Sequence, residues 1–268
     1  MVSYFLKNIL FAFFLLLPTT VYAADNAAIT KTLEALTDGE LIAGKPVTGT
    51  VIVRDITSGD AVTLDNLVSR NKQRIHLWLV DPTFTDIQHL HPETSITPYT
   101  FNFTFTPKIT GSYMAWADIT TYATNKQELL VGWLGEKDAA FIERIESHTK
   151  AMNGYNFTLS FDVPPQAGQT SVVNLNITDS QNNPVKWSME SIAKQYSSAE
   201  YFSLIGFYDD NIHAITAMQE IDPRLPLFEG PDVKFKITPT QAGYVKMFAH
   251  MTIAGKEMFV PFGVMIQK

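Results

Sequence analysis

The sequence predicts an all-β protein built from two tandem antiparallel β-sandwiches that a short helical segment joins. Two observations predict strands: runs in which polar and apolar residues alternate, and turn-forming residues between those runs. A third observation, a weak internal repeat, predicts that the sandwich occurs twice. The alternating runs cover residues 48–53, 99–106, 155–162 and 233–238.

Composition limits the classes of protein that the chain can belong to. Of its 268 residues, 46% are hydrophobic and 12% aromatic, which is enough to form two cores of modest size. The net charge of −7 at pH 7 argues against nucleic acid or an anionic membrane as a partner. Cysteine is absent, which excludes disulfides, thiolate metal sites and cysteine nucleophiles.

Residues 1–23 have the organisation of a secretory signal peptide. Lys7 precedes an unbroken apolar run over 9–17, Pro18 interrupts it, and Ala23 offers a small residue for cleavage. The run is too short to span a bilayer, which needs about 20 residues, although a retained membrane anchor is the alternative. No second apolar run is long enough to cross a membrane. We therefore expect a periplasmic or secreted protein, and the lack of cysteine favours a bacterial periplasm.

The internal repeat consists of four pairs of matching segments that occur in the same order. Three pairs are 124 residues apart, and their first members are 43–45, 51–55 and 86–89. The fourth pair begins at 105, and its offset grows to about 132 because the second copy carries an extra loop over 222–231. Four ordered matches favour a duplication over chance.

The repeat divides the mature chain into three parts. We expect a first sandwich over 24–135, a helical linker over 136–154 and a second sandwich over 155–268. In the linker, Asp138 is a candidate N-cap, and Gly154 is a candidate helix end. Between them, four residues recur at helical spacing: Phe141, Ile145, His148 and Met152. Residues 25–40 are expected to form a second short helix.

Three histidines are the strongest functional signal in the chain. Two apolar runs flank a turn near Thr83, and if they pair as antiparallel strands, His76 lies opposite His91 and Trp78 opposite His89. Residues two apart on a strand share a face, so all three histidines and Trp78 project to one side. Three imidazoles within reach of one ion are sufficient to bind Zn²⁺ or Cu²⁺. The alternative is that these are ordinary strand histidines without a ligand.

The following strand offers further candidate neighbours. Met114, Trp116 and Asp118 share a face, which would lie beside the histidines if the two strands are adjacent. Met114 is a soft ligand that favours copper, whereas Asp118 is a hard ligand that favours zinc. The ring face of Trp78 or Trp116 could shield a cuprous ion.

The second copy carries a weaker version of this pattern. At the offset of 124, Glu200 replaces His76 and His213 replaces His89, so that a three-histidine site cannot form there. Glu200 and His213 remain weak candidate ligands. Near the C-terminus, Met247 and Met251 share one strand face and His250 takes the other, which favours core packing for the methionines over a Met/His site.

These motifs resemble the periplasmic YtkA-like and CopC-like domains. The resemblance covers roughly residues 43–133 well and 155–268 only through prolines, glycines and aromatic residues, and its specific part is the His-x-His-Pro element with the upstream histidine. The matching residues are Ala43, Gly44, Lys45, Pro46, Val47, Asp55, Gly59, His76, Asp81, His89, His91, Pro92, Glu93, Phe103, Phe105, Pro107, Gly111, Tyr113 and Trp116.

The resemblance implies immunoglobulin-like or cupredoxin-like sandwiches and, for several relatives, periplasmic copper handling. It implies that His76, His89 and His91 are the positions at which a metal binds. The sequence departs from the CopC pattern in one respect: the expected mature N-terminus is Ala24, whereas CopC-type sites often use an N-terminal histidine.

Three functions follow from these observations. The first is an exported protein that binds copper, or alternatively zinc, and delivers it to a metal-receiving periplasmic protein. The second is a metal-free tandem module that binds a protein or surface partner through the exposed histidines and tryptophans. The third is a metal-dependent enzyme, which we do not expect because the sequence contains no hydrolase, zincin or phosphate-loop motif.

Overall fold

The computed structural model describes residues 30–69, 73–97, 99–137, 142–185, 202–218 and 231–268. The expected signal peptide, Asp138, Phe141 and Glu200 lie outside the described residues. The described part of the chain forms antiparallel strands and one 3₁₀ turn at Leu64–Asn66. Among these described residues, no helix has the length and apolar character needed to cross a membrane.

In the residues that the structure describes, the first sandwich contains eight strands in two sheets. One sheet has the order β1-β2-β6-β5 and the other the order β4-β3-β7-β8. This is the arrangement of an immunoglobulin-like sandwich, in which strands A, B, E and D face strands C′, C, F and G. The strands are β1 (Lys31–Thr37), β2 (Val47–Asp55), β3 (His76–Val80), β4 (Ile87–Leu90), β5 (Glu93–Thr94), β6 (Phe101–Phe105), β7 (Tyr113–Thr120) and β8 (Gln127–Leu134).

In the described residues, the second sandwich repeats the order of the β3-containing sheet, whereas its other sheet has β9 beside β10 at one edge in place of a counterpart of β5. Its sheets are β14-β11-β10-β9 and β13-β12-β15-β16. The strands are β9 (Thr149–Met152), β10 (Tyr155–Phe161), β11 (Ser171–Asp179), β12 (Phe202–Tyr208), β13 (Ala214–Met218), β14 (Asp232–Ile237), β15 (Gly243–Ile253) and β16 (Lys256–Ile266). The all-β expectation is therefore confirmed, and each sandwich has its own apolar core.

Alternating burial explains why the predicted runs form strands. In β6, Phe101, Phe103 and Phe105 point into the first core while the residues between them are exposed. The runs predicted near 48, 155 and 233 become β2, β10 and β14, with the same alternation. Each of these strands has one face on a core and one on solvent, as the period of two requires.

The prediction of a helical linker over 136–154 is wrong. Of the residues expected in it, 142–146 are irregular and 149–152 form β9, which pairs with β10. Asn153 and Gly154 have φ values of 52° and 84° and form a two-residue hairpin loop between Met152 and Tyr155. Asn-Gly is a strong signal for such a hairpin, and this local preference overrides the helical spacing of the apolar residues. The short helix expected within 25–40 is also wrong, because β1 occupies 31–37.

The two sandwiches pack against each other through their β3- and β12-containing sheets. Strands β3, β7 and β12 are buried at every position, because one face lies on their own core and the other on the neighbouring sandwich. The contact is a separate apolar cluster formed by Trp78, Val80, Phe84, Ile87, Met114, Trp116, Ile205, Phe207 and Phe248. The histidines of the first sandwich lie on this inward-turned face.

Candidate metal centre

The hairpin of β3 and β4 has the register that the turn predicts. Trp78 pairs with His89 and Leu77 with Leu90. The Asp81 carboxylate fixes the turn, since it accepts hydrogen bonds from the backbone N–H groups of Thr83 (2.9 Å), Thr85 (2.7 Å) and Asp86 (2.6 Å). A register one residue out would turn the histidines away from one another.

A second carboxylate, Asp86, anchors this turn to the first core. It accepts hydrogen bonds from the Lys108 backbone N–H (2.8 Å), the Tyr113 hydroxyl (2.7 Å) and the Gln88 amide (3.0 Å). Burial raises the pKa of Asp86, but these hydrogen bonds outweigh it and hold the pKa below the ordinary value of 3.8. The turn that sets the histidine register is therefore held by an ionised carboxylate.

The hairpin brings His76, His89 and His91 together. One ring nitrogen from each lies within 4.8 Å of the other two. Their ring centroids are 5.5 Å apart for His76 and His89, 5.2 Å for His76 and His91, and 4.7 Å for His89 and His91. Two nitrogens that bind one ion at about 2 Å can be at most about 4 Å apart, so a shift of less than about 1 Å would let all three bind it. His76 is buried, and the other two are half-buried.

The tryptophans occupy two different positions. Trp78 stacks on His89, with ring centroids 4.0 Å apart and an interplanar angle of 9°. Trp116 pairs with Trp78 on the adjacent strand but is fully buried against Phe207 of the second sandwich. Only 4% of Trp78 and none of Trp116 is exposed, so these rings do not form the exposed aromatic surface that the metal-free binding module requires.

Asp118 lies beside the histidines, whereas Met114 does not. Asp118 pairs with His76 across β3 and β7, and its Oδ2 accepts a hydrogen bond from Gln127 Nε2 at 2.7 Å. Met114 pairs with Val80, four residues along β7, which at the rise of a strand is about 13 Å away. Its side chain belongs to the apolar contact between the sandwiches.

The second copy does not place His213 where the offset of 124 predicts. The turn that Asp81 begins corresponds to the turn that Tyr208 begins, because the Asp81 N–H donates to Asp86 and the Tyr208 N–H to His213 in the same way. His213 therefore occupies the position of Asp86 and not that of His89. It is 42% exposed and pairs with Asp210, its Nδ1 lying 2.7 Å from Oδ2.

The sequence-based prediction did not connect His250, on the second sandwich, with the three-histidine group. Its ring lies 5.2 Å from that of His89 and 5.6 Å from that of Trp78. The expected strand parity is confirmed, since Met247 and Met251 lie in the second core and His250 on the opposite face. One signal was present in the sequence: the offset of 132 that relates the later segments, applied to Asp118, leads to His250.

The comparisons with known proteins give no family. No family model matches the sequence, and no curated protein matches it. Solved structures to which this chain is similar include invasin, a bacterial integrin-binding protein (11% sequence identity, covering 87% of this chain and 39% of invasin, TM-score 0.24). Others are the D0-D1 domain of intimin (10%, 89% and 100%, 0.23) and a DUF4785 family protein from Legionella pneumophila (12%, 86% and 49%, 0.26). Membership of the YtkA-like or CopC-like domains stays a prediction.

Proposed function

We propose that the protein is an exported metal-binding protein that binds copper through His76, His89 and His91. The observation that carries the proposal is the convergence of three imidazole nitrogens within 4.8 Å of one another on one hairpin. Neutral imidazole is a good ligand for copper and zinc, and copper binds more tightly than zinc to a given nitrogen site. Zinc is the alternative ion, and availability in the compartment decides between them.

The expected role is capture and delivery. His76 is buried at the base of the group, whereas His89 and His91 are half-buried, so that an ion held by them remains within reach of a partner's ligands. The expected partner is a metal-receiving periplasmic protein. The resemblance to CopC-like domains and the predicted signal peptide support this assignment.

Metal titration of the purified protein tests the proposal. We expect saturable one-to-one binding of Cu⁺, Cu²⁺ or Zn²⁺ that the triple substitution His76→Ala, His89→Ala, His91→Ala abolishes. His148→Ala is the matched control, because His148 lies outside the group and its side chain is 39% exposed. Equal binding by the wild type and the triple variant would exclude the site.

A further inference from the structure

The second sandwich presents a fourth histidine to the three-histidine group. His250 is 6% exposed and meets His89 edge to face, at a centroid distance of 5.2 Å. This distance equals that between His76 and His91, which belong to the group. His250 also stacks on Phe259 at 4.5 Å, which fixes the plane of its ring. A buried imidazole from the neighbouring sandwich therefore lies as close to His89 as His76 lies to His91.

The hydrogen bonds of His250 follow a pattern that is common among metal-binding histidines. Its Nε2 lies 2.8 Å from Glu257 Oε1, while its Nδ1 lies 3.3 Å from the Ser203 hydroxyl. The N–H therefore belongs on Nε2, where it donates to the carboxylate, and the lone pair on Nδ1. Histidine ligands of metals usually donate their second ring N–H to a carboxylate in this way, which fixes the tautomer and makes the free nitrogen more basic.

The internal repeat explains how His250 reaches this position. Ser203 pairs with His250 across β12 and β15, as His76 pairs with Asp118 across β3 and β7. His250 is thus the counterpart of Asp118, and the face-to-face packing of the two sheets directs both residues toward one place. Two contacts hold the sheets together there, since Thr216 of β13 lies 2.7 Å from Gln127 Nε2 and 3.4 Å from Asp118 Oδ2.

We propose that the metal site is shared by the two sandwiches: His250 supplies a fourth nitrogen ligand through Nδ1, and Glu257 is the positioning residue that orients it. This rests on the proposed function of His76, His89 and His91. Coordination replaces the long hydrogen bond between Nδ1 and Ser203. Since the ligands come from two sandwiches, bound metal stabilises their contact, and loss of that contact weakens metal binding by the same factor.

The experiment compares metal affinity and ligand number in matched variants. His250→Phe keeps an aromatic ring against Phe259 and removes the nitrogens, and Glu257→Gln removes only the orienting charge. His148→Phe is the control, since His148 also has a glutamate partner (Glu146, 3.5 Å) and a phenylalanine neighbour (Phe161, 5.7 Å) but lies away from the group. X-ray absorption counts the nitrogens around the bound ion.

We expect His250→Phe to weaken binding at least tenfold and to reduce the nitrogen count from four to three. Glu257→Gln is expected to weaken binding about 10- to 100-fold, the range for partners of metal-ligating histidines, with a folded protein by circular dichroism. Wild-type affinity and an unchanged nitrogen count in both variants would overturn the shared site but leave the three-histidine site intact. Equal binding by the wild type and the triple-histidine variant would overturn both.

Discussion

The segment between the two sandwiches is held in place at Gly263, and this contact permits a quantitative prediction. The Gly263 N–H donates to Ser147 O at 3.0 Å and the Ser147 N–H donates to Gly263 O at 2.9 Å. The Tyr244 hydroxyl donates to Ile145 O at 3.1 Å beside them. A Cβ at residue 263 would lie 1.9 Å from Ile145 O and 2.7 Å from the Tyr244 hydroxyl oxygen.

Gly263→Ala must therefore displace the segment from β16. The obstructing atom is a backbone oxygen, which cannot rotate away as a side chain can, so all three hydrogen bonds break. Each contributes about 1 kcal/mol net, and we expect the free energy of unfolding to fall by about 2–3 kcal/mol. Urea unfolding measures this change, and limited proteolysis locates it between 142 and 149.

Gly39→Ala is the control, because nothing lies within 4 Å of its Cβ position and Gly39 is not among the glycines with positive φ. That substitution should change the free energy of unfolding by less than about 0.5 kcal/mol, as surface substitutions usually do. If Gly263→Ala matched the control within that margin, with no new cleavage, the reasoning from the close approach of the backbone would be refuted.

Three further substitutions test other contacts. Trp116→Ala leaves a cavity where the two sandwiches meet and should cost about 3–5 kcal/mol in urea unfolding; a loss below 1 kcal/mol would contradict the packing. Gly154→Ala forces alanine to a φ of 84° in the hairpin loop and should cost about 1 kcal/mol, with no loss if the loop adopts another turn. Folding lowers the pKa of Asp86. The contribution of its ionised carboxylate to the free energy of unfolding is therefore complete above pH 3.8 and is lost as the pH falls through the folded-state pKa. Asp86→Asn should thus be less stable than wild type at neutral pH and lose less on acidification, whereas parallel pH profiles would exclude this role.

Local patterns predicted the part of the candidate site that one hairpin builds. The turn beginning at Asp81 sets the register, and period two then decides which side chains share a face, so His76, His89 and His91 converge as expected. The same parity placed Met247 in the core. These results depend on neighbours within one hairpin or strand, which the sequence specifies directly.

Contacts between the sandwiches could not be predicted in the same way. The position of His250 depends on how two complete sheets pack, and no short-range pattern specifies that packing. One sign of it was present, since Trp78 and Val80 alternate with leucines in β3 and leave both faces apolar. A strand that is apolar on both faces indicates cover on both sides. The helix predicted across Asn153 fails for the opposite reason, because the Asn-Gly hairpin signal is local and outweighs the helical spacing of the apolar residues.

The order of strands along the chain gives the contact between the sandwiches a consequence in time. The first sandwich is complete at Leu134, whereas the residues that cover its inner face come later in the chain: Ile205 and Phe207 about 70 residues on, and Phe248 and Phe259 more than a hundred. In a chain that folds from its N-terminus as it emerges, the three histidines come together while that face is still open. An ion that the proposed site binds can then reach the histidines before the second sandwich packs beside them, and during the same interval Trp116 is exposed to solvent.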